Sequence, residues 1–210
     1  MQAPSSIPSP FSRKLVPVAS LVWIAVLITG FLALAREEWT PVTATAARPA
    51  FPLGSTLALA TDVPTLILFA HPRCPCTRAS MHELAELLTG LDHRVSIQVV
   101  FTLPKGVPPH WEQGELWREA TAIPGTRVTT DQDGQEAQRF GVKGSGHVLL
   151  YQPSGELVFS GGITPSRGHE GDNPGRSAVV SLVTRGRSPV DHTPVYGCPL
   201  LEPPDLPSQS

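Results

Sequence analysis

Cysteine is scarce in this chain: its 210 residues include only three, alongside two methionines, two tyrosines and 6% aromatic residues. Charge is scarce as well, at 16% of residues, and 16 Lys+Arg against 18 Asp+Glu leave no basic surplus. That balance argues against a nucleic-acid binder and against an acidic, disordered solvating chain. An apolar content of 40% is too moderate for a multi-span membrane protein. No internal repeat with a period of 20–50 residues is visible. The length suits one well-buried domain with extensions better than two domains. Proline and glycine are plentiful instead: 23 Pro and 18 Gly make up about a fifth of the chain, against an average of roughly 12%. Such a composition implies many turns around a modest core.

The clearest physical signal lies near the N-terminus, where residues 15–35 carry no charge. As a helix this stretch spans roughly 30 Å, the thickness of a bilayer's hydrocarbon core. Arg13 and Lys14 precede it, while Arg36, Glu37 and Glu38 follow. Positive-inside bias then leaves residues 1–14 in the cytoplasm as a Pro/Ser-rich disordered head and exports the remainder. Residues 15–35 are longer than an ordinary signal-peptide core, which favours a single-pass inner-membrane anchor with a periplasmic C-terminal domain. Ala33-Leu34-Ala35 has the small-x-small form of a cleavage site, so secretion after cleavage near Ala35 stays open. Residues 36–52 read as a flexible tether, 53–187 as the folded domain, and 188–210 as a Pro-rich tail that cannot sustain a helix or a central strand.

Within the domain, strand-length apolar runs alternate with helical patterns. Residues 65–70 (TLILFA) suit a strand buried on both faces. Met81, Leu84, Ala85, Leu87, Leu88 and Leu91 recur at helical spacing, with Gly90 available as a terminator. Residues 95–101 read as a strand, 114–123 as a helix, 127–130 as a weak strand, 135–140 as a short helix and 147–151 as a strand. Pro153-Ser154-Gly155-Glu156 has turn chemistry that makes 147–151 and 157–160 a hairpin, and 177–184 a closing helix. The alternation predicts an α/β fold with a mixed central sheet and helices on both faces, preceded by one transmembrane helix.

Two cysteines fall in His71-Pro72-Arg73-Cys74-Pro75-Cys76-Thr77-Arg78, between the first strand and the first helix of the domain. At a helix N-terminus a thiolate is stabilised by unpaired backbone N–H groups, and Arg73 and Arg78 add positive charge nearby. A lowered thiol pKa raises the thiolate population that thiol–disulfide exchange needs. This argument requires the helix to begin near Pro75, which is favoured in a first turn, rather than at the capping-box pattern Ser80-Met81-His82-Glu83. A Cys-x-Cys disulfide closes a very small loop in which Cα separation and dihedral are hard to satisfy together. The pair is therefore a poor staple and a plausible redox couple.

The strand TLILFA, the cysteine pair at the strand–helix junction, Phe140-Gly141-Val142 before the hairpin and the Gly155-Glu156 turn resemble the thioredoxin superfamily, in particular its membrane-anchored TlpA/ResA-like redoxins. Residues 71–80, 145–151 and 159–173 are most similar to bacterial thioredoxin-like proteins labelled RedB. The resemblance implies a thioredoxin-like fold and a thiol–disulfide oxidoreductase with Cys74 attacking and Cys76 resolving. It implies no bound cofactor, a protein disulfide or dithiol as substrate, and a membrane thiol reductant or oxidant as redox partner. Two departures stand out: the usual pair is Cys-x-x-Cys, and the usual cis-proline before the hairpin aligns with Gly146.

His71 and His147 are candidates to tune or shuttle the thiol proton. Pro75, Gly146, Arg167 and His169 are candidate substrate contacts. The Gly-rich polar run 161–175 matches neither a Walker loop nor an EF-hand; it is a candidate rim to the site, or a surface loop in which Asn173 or Asp172 caps the last helix. Cys198 is a possible third thiol that could resolve a mixed disulfide with Cys74, pair between chains, or remain free. The competing function class is delivery of a soft metal such as copper, held by Cys74, Cys76 and His147, as in thioredoxin-fold carriers of the Sco type.

Overall fold

The computed structural model describes residues 10–42, 47–91 and 94–201 in two compact units, residues 1–40 and 41–210. Residues 1–9 of the expected head, 43–46 of the expected tether and 202–210 of the expected tail lie outside the described residues, whereas 10–14 of the head and 36–38 of the tether are helical.

In the first unit a single helix, α1 (Pro10–Glu38), contains Val16–Arg36, a 21-residue stretch of mean hydropathy 2.4 that is long and apolar enough to cross a membrane. Pro17 sits inside this helix. Side chains such as Leu21, Trp23, Ile28 and Phe31 are exposed along it.

The second unit is built on five strands: β1 (Thr65–Ala70), β2 (Ser96–Leu103), β3 (Thr126–Gln132), β4 (His147–Tyr151) and β5 (Leu157–Gly162). Their order across the sheet is β3-β2-β1-β4-β5. The first three are parallel, and β4 and β5 form an antiparallel hairpin docked on β1 with Phe69 opposite His147. Four helices complete the unit: α2 (Pro75–Thr89), α3 (Glu115–Ala122), α4 (Gln135–Phe140) and α5 (Pro174–Arg185).

Because side chains alternate along a strand, β1 feeds two cores. Leu66, Leu68 and Ala70 pack with Met81 and Leu84 of α2, Leu116 and Ala120 of α3, and Val179 and Leu182 of α5. Ile67 and Phe69 face the opposite side, against Ala137 and Phe140 of α4 together with Leu149, Tyr151 and Leu200. Burial of β1 on both faces explains its unbroken apolar run.

Two of the boundaries that differ from expectation have clear local reasons. The last helix starts at Pro174 rather than 177, because Asn173 Oδ1 accepts the Arg176 N–H as a cap and Pro174 occupies the first turn. β5 runs on through Gly161-Gly162, residues expected in a loop. Residues 191–200 explain this: the expected tail folds back as a strap beside β5, with the Ser160 N–H donating to Asp191 O (3.0 Å), Thr193 N–H to Ser160 O (3.3 Å) and Gly162 N–H to Pro194 O (3.3 Å). A Cβ on Gly162 would lie 2.6 Å from Pro194 O, so the strap can approach only where that side chain is absent. It also covers part of an edge strand that would otherwise present unpaired backbone groups.

Candidate active site: a three-cysteine cluster

β1 delivers the chain to residues 71–74 at one end of the sheet, and α2 begins at Pro75 with Cys74 as its N-cap in extended conformation. Ser80 lies inside α2, so the capping-box pattern does not mark its start. The turn is held by its own backbone: Cys74 N–H donates to His71 O (3.2 Å) and Thr77 N–H to Cys74 O (3.0 Å). No side chain caps the helix, which leaves its N-terminal field directed at the Cys74 and Cys76 region.

The strap brings Cys198 to the same place. Cys74 Sγ and Cys198 Sγ are 2.7 Å apart, and the Sγ atoms of Cys74, Cys76 and Cys198 all lie within 4.8 Å of one another. All three cysteines are free; Cys74 is 1% exposed and Cys76 5%, while Cys198 is partly exposed.

The cluster divides one negative charge unequally. Cys74 is held far below the usual thiol range, first by a hydrogen bond from Cys198 and then by one from Cys76; the Cys198 backbone and the Thr77 side chain add to this against the opposing cost of burial. Cys198 is pushed strongly upward because it donates to Cys74 and to Cys76 and is partly desolvated. Cys76 is pulled down by Cys198, yet its donation to Cys74, burial and the charge on Cys74 outweigh that and the favourable field of Arg167. The directions of the three shifts favour ionisation at Cys74 over Cys76 and Cys198.

The positive charge expected from Arg73 and Arg78 is engaged elsewhere. The Arg73 guanidinium stacks over Trp111, 4.4 Å from the ring centroid, and Arg78 pairs with Glu115 (2.7 Å) and Glu119 (3.7 Å). The lowering of Cys74 comes from thiol and helix-turn donors rather than from these arginines.

Other candidates fall into place around the cluster. The His71 ring stands edge-on to Trp111, and its Nδ1 accepts the Arg73 N–H at 3.3 Å. The buried His147 ring hydrogen-bonds Ser160 Oγ through Nε2 (2.8 Å), across the β4–β5 hairpin. Among the described residues no histidine joins the three-sulfur group, and Cys198 takes the place the sequence reading gave to His147 as third ligand. Arg167 Nη1 donates to Gly197 O at 2.9 Å and so grips the strap next to Cys198. His169 is exposed with Nδ1 against Arg167 O. Gly146 adopts φ +85°, its peptide is trans, and a Cβ there would meet Ser80 Oγ of α2 at 2.8 Å. Its N–H donates to Phe69 O (2.8 Å), which ties the start of the hairpin to the end of β1.

Sequence reasoning missed Ser145 and Thr77, both buried. Ser145 Oγ accepts the His71 N–H (2.8 Å) and shares a hydrogen bond with Thr77 Oγ1 (2.6 Å), while its own N–H donates to Cys198 O (2.8 Å). One residue thereby joins the cysteine turn, the first turn of α2 and the strap. Its only sequence signals were its place before Gly146 and at the start of the resembling segment 145–151.

Burial of the His147 ring lowers its pKa to about 4, against about 6.5 for an unfolded histidine. Because the folded value is depressed, its contribution to stability is full above pH 6.5 and is lost as pH falls toward 4. The expected loss is about 3 kcal/mol. Urea titrations across that window should show the decline, and His147→Asn should flatten it.

The parallel β1–β2–β3 half, the antiparallel β4–β5 hairpin on β1, the helices on both faces and the thiols at the N-terminus of the first helix define a thioredoxin-like fold. No protein-family model matches the sequence, and no curated protein is recognisably similar to it. Among solved structures, a conserved uncharacterized protein from Geobacillus kaustophilus is similar over 80% of this chain and 94% of that one, with 17% identity and a TM-score of 0.58. A hypothetical protein from Sinorhizobium meliloti is similar over 77% and 93%, with 20% identity and a TM-score of 0.55. A more distant likeness, to a secreted Mycobacterium tuberculosis disulfide oxidoreductase described as homologous to E. coli DsbE, spans 60% and 83% at 15% identity and a TM-score of 0.42.

Proposed function

We propose that this protein is a thiol–disulfide oxidoreductase that acts on protein substrates through the Cys74-Pro75-Cys76 motif. The observation that carries this reading is the placement of Cys74 as N-cap of α2 with two further thiols within 4.8 Å, an arrangement that lowers its pKa. A cleft of about 450 Å³ lined by Pro72, Arg73, Pro75 and Arg78 reaches Cys74 and offers a polypeptide a place to present its sulfur. The exchange needs only thiols and disulfides, so no cofactor is invoked. Charge flanking α1 supports an inner-membrane anchor with the thiol domain on the periplasmic side, cleavage near Ala35 being the alternative; the redox partner is then a membrane thiol reductant or oxidant.

The test uses the full-length protein in detergent micelles with a disulfide-bonded model protein such as insulin and a dithiol reductant. Catalysed reduction beyond the rate of the dithiol alone is expected, and its absence in either direction of exchange refutes the reading. The reduction potential then sets the direction: a value near thioredoxin's, about −270 mV, marks a reductant, and one near about −120 mV an oxidant.

The sulfur cluster also supports a second reading, as a soft-metal site of Cys74, Cys76 and Cys198. Titration of the reduced protein with Cu(I) separates the two. Tight stoichiometric binding lost in Cys74→Ser, without disulfide exchange by the wild type, would favour the carrier.

A further inference from the structure

We infer that Cys198 on the C-terminal strap is the resolving thiol, so that the disulfide of the cycle closes between Cys74 and Cys198 rather than within Cys74-Pro75-Cys76. The inference rests on the oxidoreductase reading above and assigns the second sulfur of that reaction. Four observations lead to it.

The first is proximity, the Sγ atoms being 2.7 Å apart although the residues are 124 positions apart in sequence. The second is the poor alternative: Cys74 is the N-cap of α2 and Cys76 lies in its first turn, already closed by the Thr77 N–H to Cys74 O bond. A bond between them must reconcile disulfide geometry with that turn. The third is that the strap is built to sit there. Its backbone is fixed on both sides of Cys198, by Arg167 Nη1 to Gly197 O (2.9 Å), Ser145 N–H to Cys198 O (2.8 Å) and Leu200 N–H to Lys143 O (2.9 Å). A Cβ on Gly197 would collide with Ser145 O, so the close approach depends on glycine at that position. The fourth is placement: the cleft has Cys74 in its lining, and of the two candidate partners Cys198 is partly exposed whereas Cys76 is buried.

The chemistry then balances in two exchanges. The Cys74 thiolate attacks one sulfur of a substrate disulfide, forming a Cys74–substrate disulfide and releasing the other sulfur as a thiolate, which takes a proton from solvent. Neutralisation of Cys74 removes the charge that held the Cys198 proton. Cys198 gives up that proton, attacks Cys74 Sγ, and expels the second substrate sulfur, which is protonated in turn. The substrate gains two electrons and two protons; the protein dithiol becomes a disulfide. An external dithiol reductant returns it to the starting state, and the same steps reversed oxidise a substrate dithiol.

The test is disulfide mapping on the full-length protein in detergent micelles. Reduced protein is mixed with limiting insulin, quenched with acid, alkylated and digested without reduction for mass spectrometry. A dominant Cys74–Cys198 peptide pair is expected in the wild type. Cys198→Ser should accumulate an insulin adduct on Cys74 and turn over at least tenfold more slowly. A dominant Cys74–Cys76 bond overturns the inference while leaving the oxidoreductase reading intact, as does a Cys198→Ser protein with wild-type turnover and no adduct. Absence of any adduct or disulfide on Cys74 in the wild type overturns both. The mapping of the wild type needs no variant to fold.

Discussion

Cys74→Ser is expected to lower the rate of insulin reduction by roughly three orders of magnitude or more, to the level set by the free dithiol. The serine hydroxyl occupies nearly the same space, but it neither ionises at neutral pH nor forms a disulfide. The loss should therefore be chemical rather than structural, and the thermal unfolding midpoint of the reduced protein should change little by comparison. The pH dependence of alkylation provides a second check. With Cys74 held well below the usual thiol range by the Cys198 and Cys76 donors, its reaction with iodoacetamide, slowed at every pH by burial, should keep its rate down to pH 6, where an ordinary thiol is almost wholly protonated. Cys198→Ser keeps an oxygen donor beside Cys74 and should preserve much of that low-pH reactivity, whereas Cys198→Ala should move it toward alkaline pH. An alkylation profile for wild-type Cys74 matching a free cysteine would remove the basis of the proposed function.

The largest effect on stability is expected from Glu83→Ala. Glu83 is buried on α2 and its carboxylate is fully engaged: Oε1 accepts the Gly171 N–H at 2.6 Å, and Oε2 accepts Asn173 Nδ2 at 3.2 Å and pairs with Arg176 at 2.9 Å. Arg176 also pairs with the exposed Glu86 and Asp172, so part of its charge remains answered after the substitution. The Gly171 N–H loses its acceptor, and Asn173 Nδ2 loses one of two, keeping Gly171 O at 2.9 Å. Breaking a buried, hydrogen-bonded pair of this kind costs about 3–5 kcal/mol. Chemical denaturation of the reduced protein should show that loss, and Glu83→Gln, which can still accept from Gly171, should recover part of it. A change below 1 kcal/mol would mean that the network holds the loop without stabilising the fold. The same segment carries Arg167, whose grip on Gly197 supports the strap, so Glu83→Ala should also weaken the coupling between Cys198 and Cys74.

Much of the scaffold was legible from local pattern because local physics specifies it. The doubly buried run at 65–70, the helical spacing of Met81, Leu84 and Leu87 and the Pro-Ser-Gly-Glu turn each announce one element, and Pro75 marks the start of α2 correctly. The strap at 191–200 was not legible. It has no period and is rich in proline, and its position follows from contacts with residues distant in sequence. Its clearest trace was the glycines, read as loop formers at 161–162, whereas Gly162 and Gly197 serve to let two backbones meet. The sources of charge were misread for a related reason. Arg73 and Arg78 are close to the cysteines along the chain, but Trp111 and Glu115 claim them, while Arg167, distant in sequence, reaches the cluster from the loop after β5. Cys198 could be flagged as a third thiol from its presence alone, yet its placement against Cys74 required the tail to return.

That return has a consequence in time. The strap follows every strand and helix of the domain in sequence, and its cysteine meets one 124 residues earlier. Chains are made from the N-terminus at about 5–20 residues per second, so Cys74 precedes Cys198 by roughly 6–25 s during synthesis. A pairing of such separation also closes late in refolding, after the nearer contacts have formed. Throughout that interval Cys74 lacks both its cover and the neighbour that lowers its pKa most. The newborn chain passes through an uncovered, less acidic form of its own reactive centre, and the last stretch of the domain to emerge brings shielding and activation together.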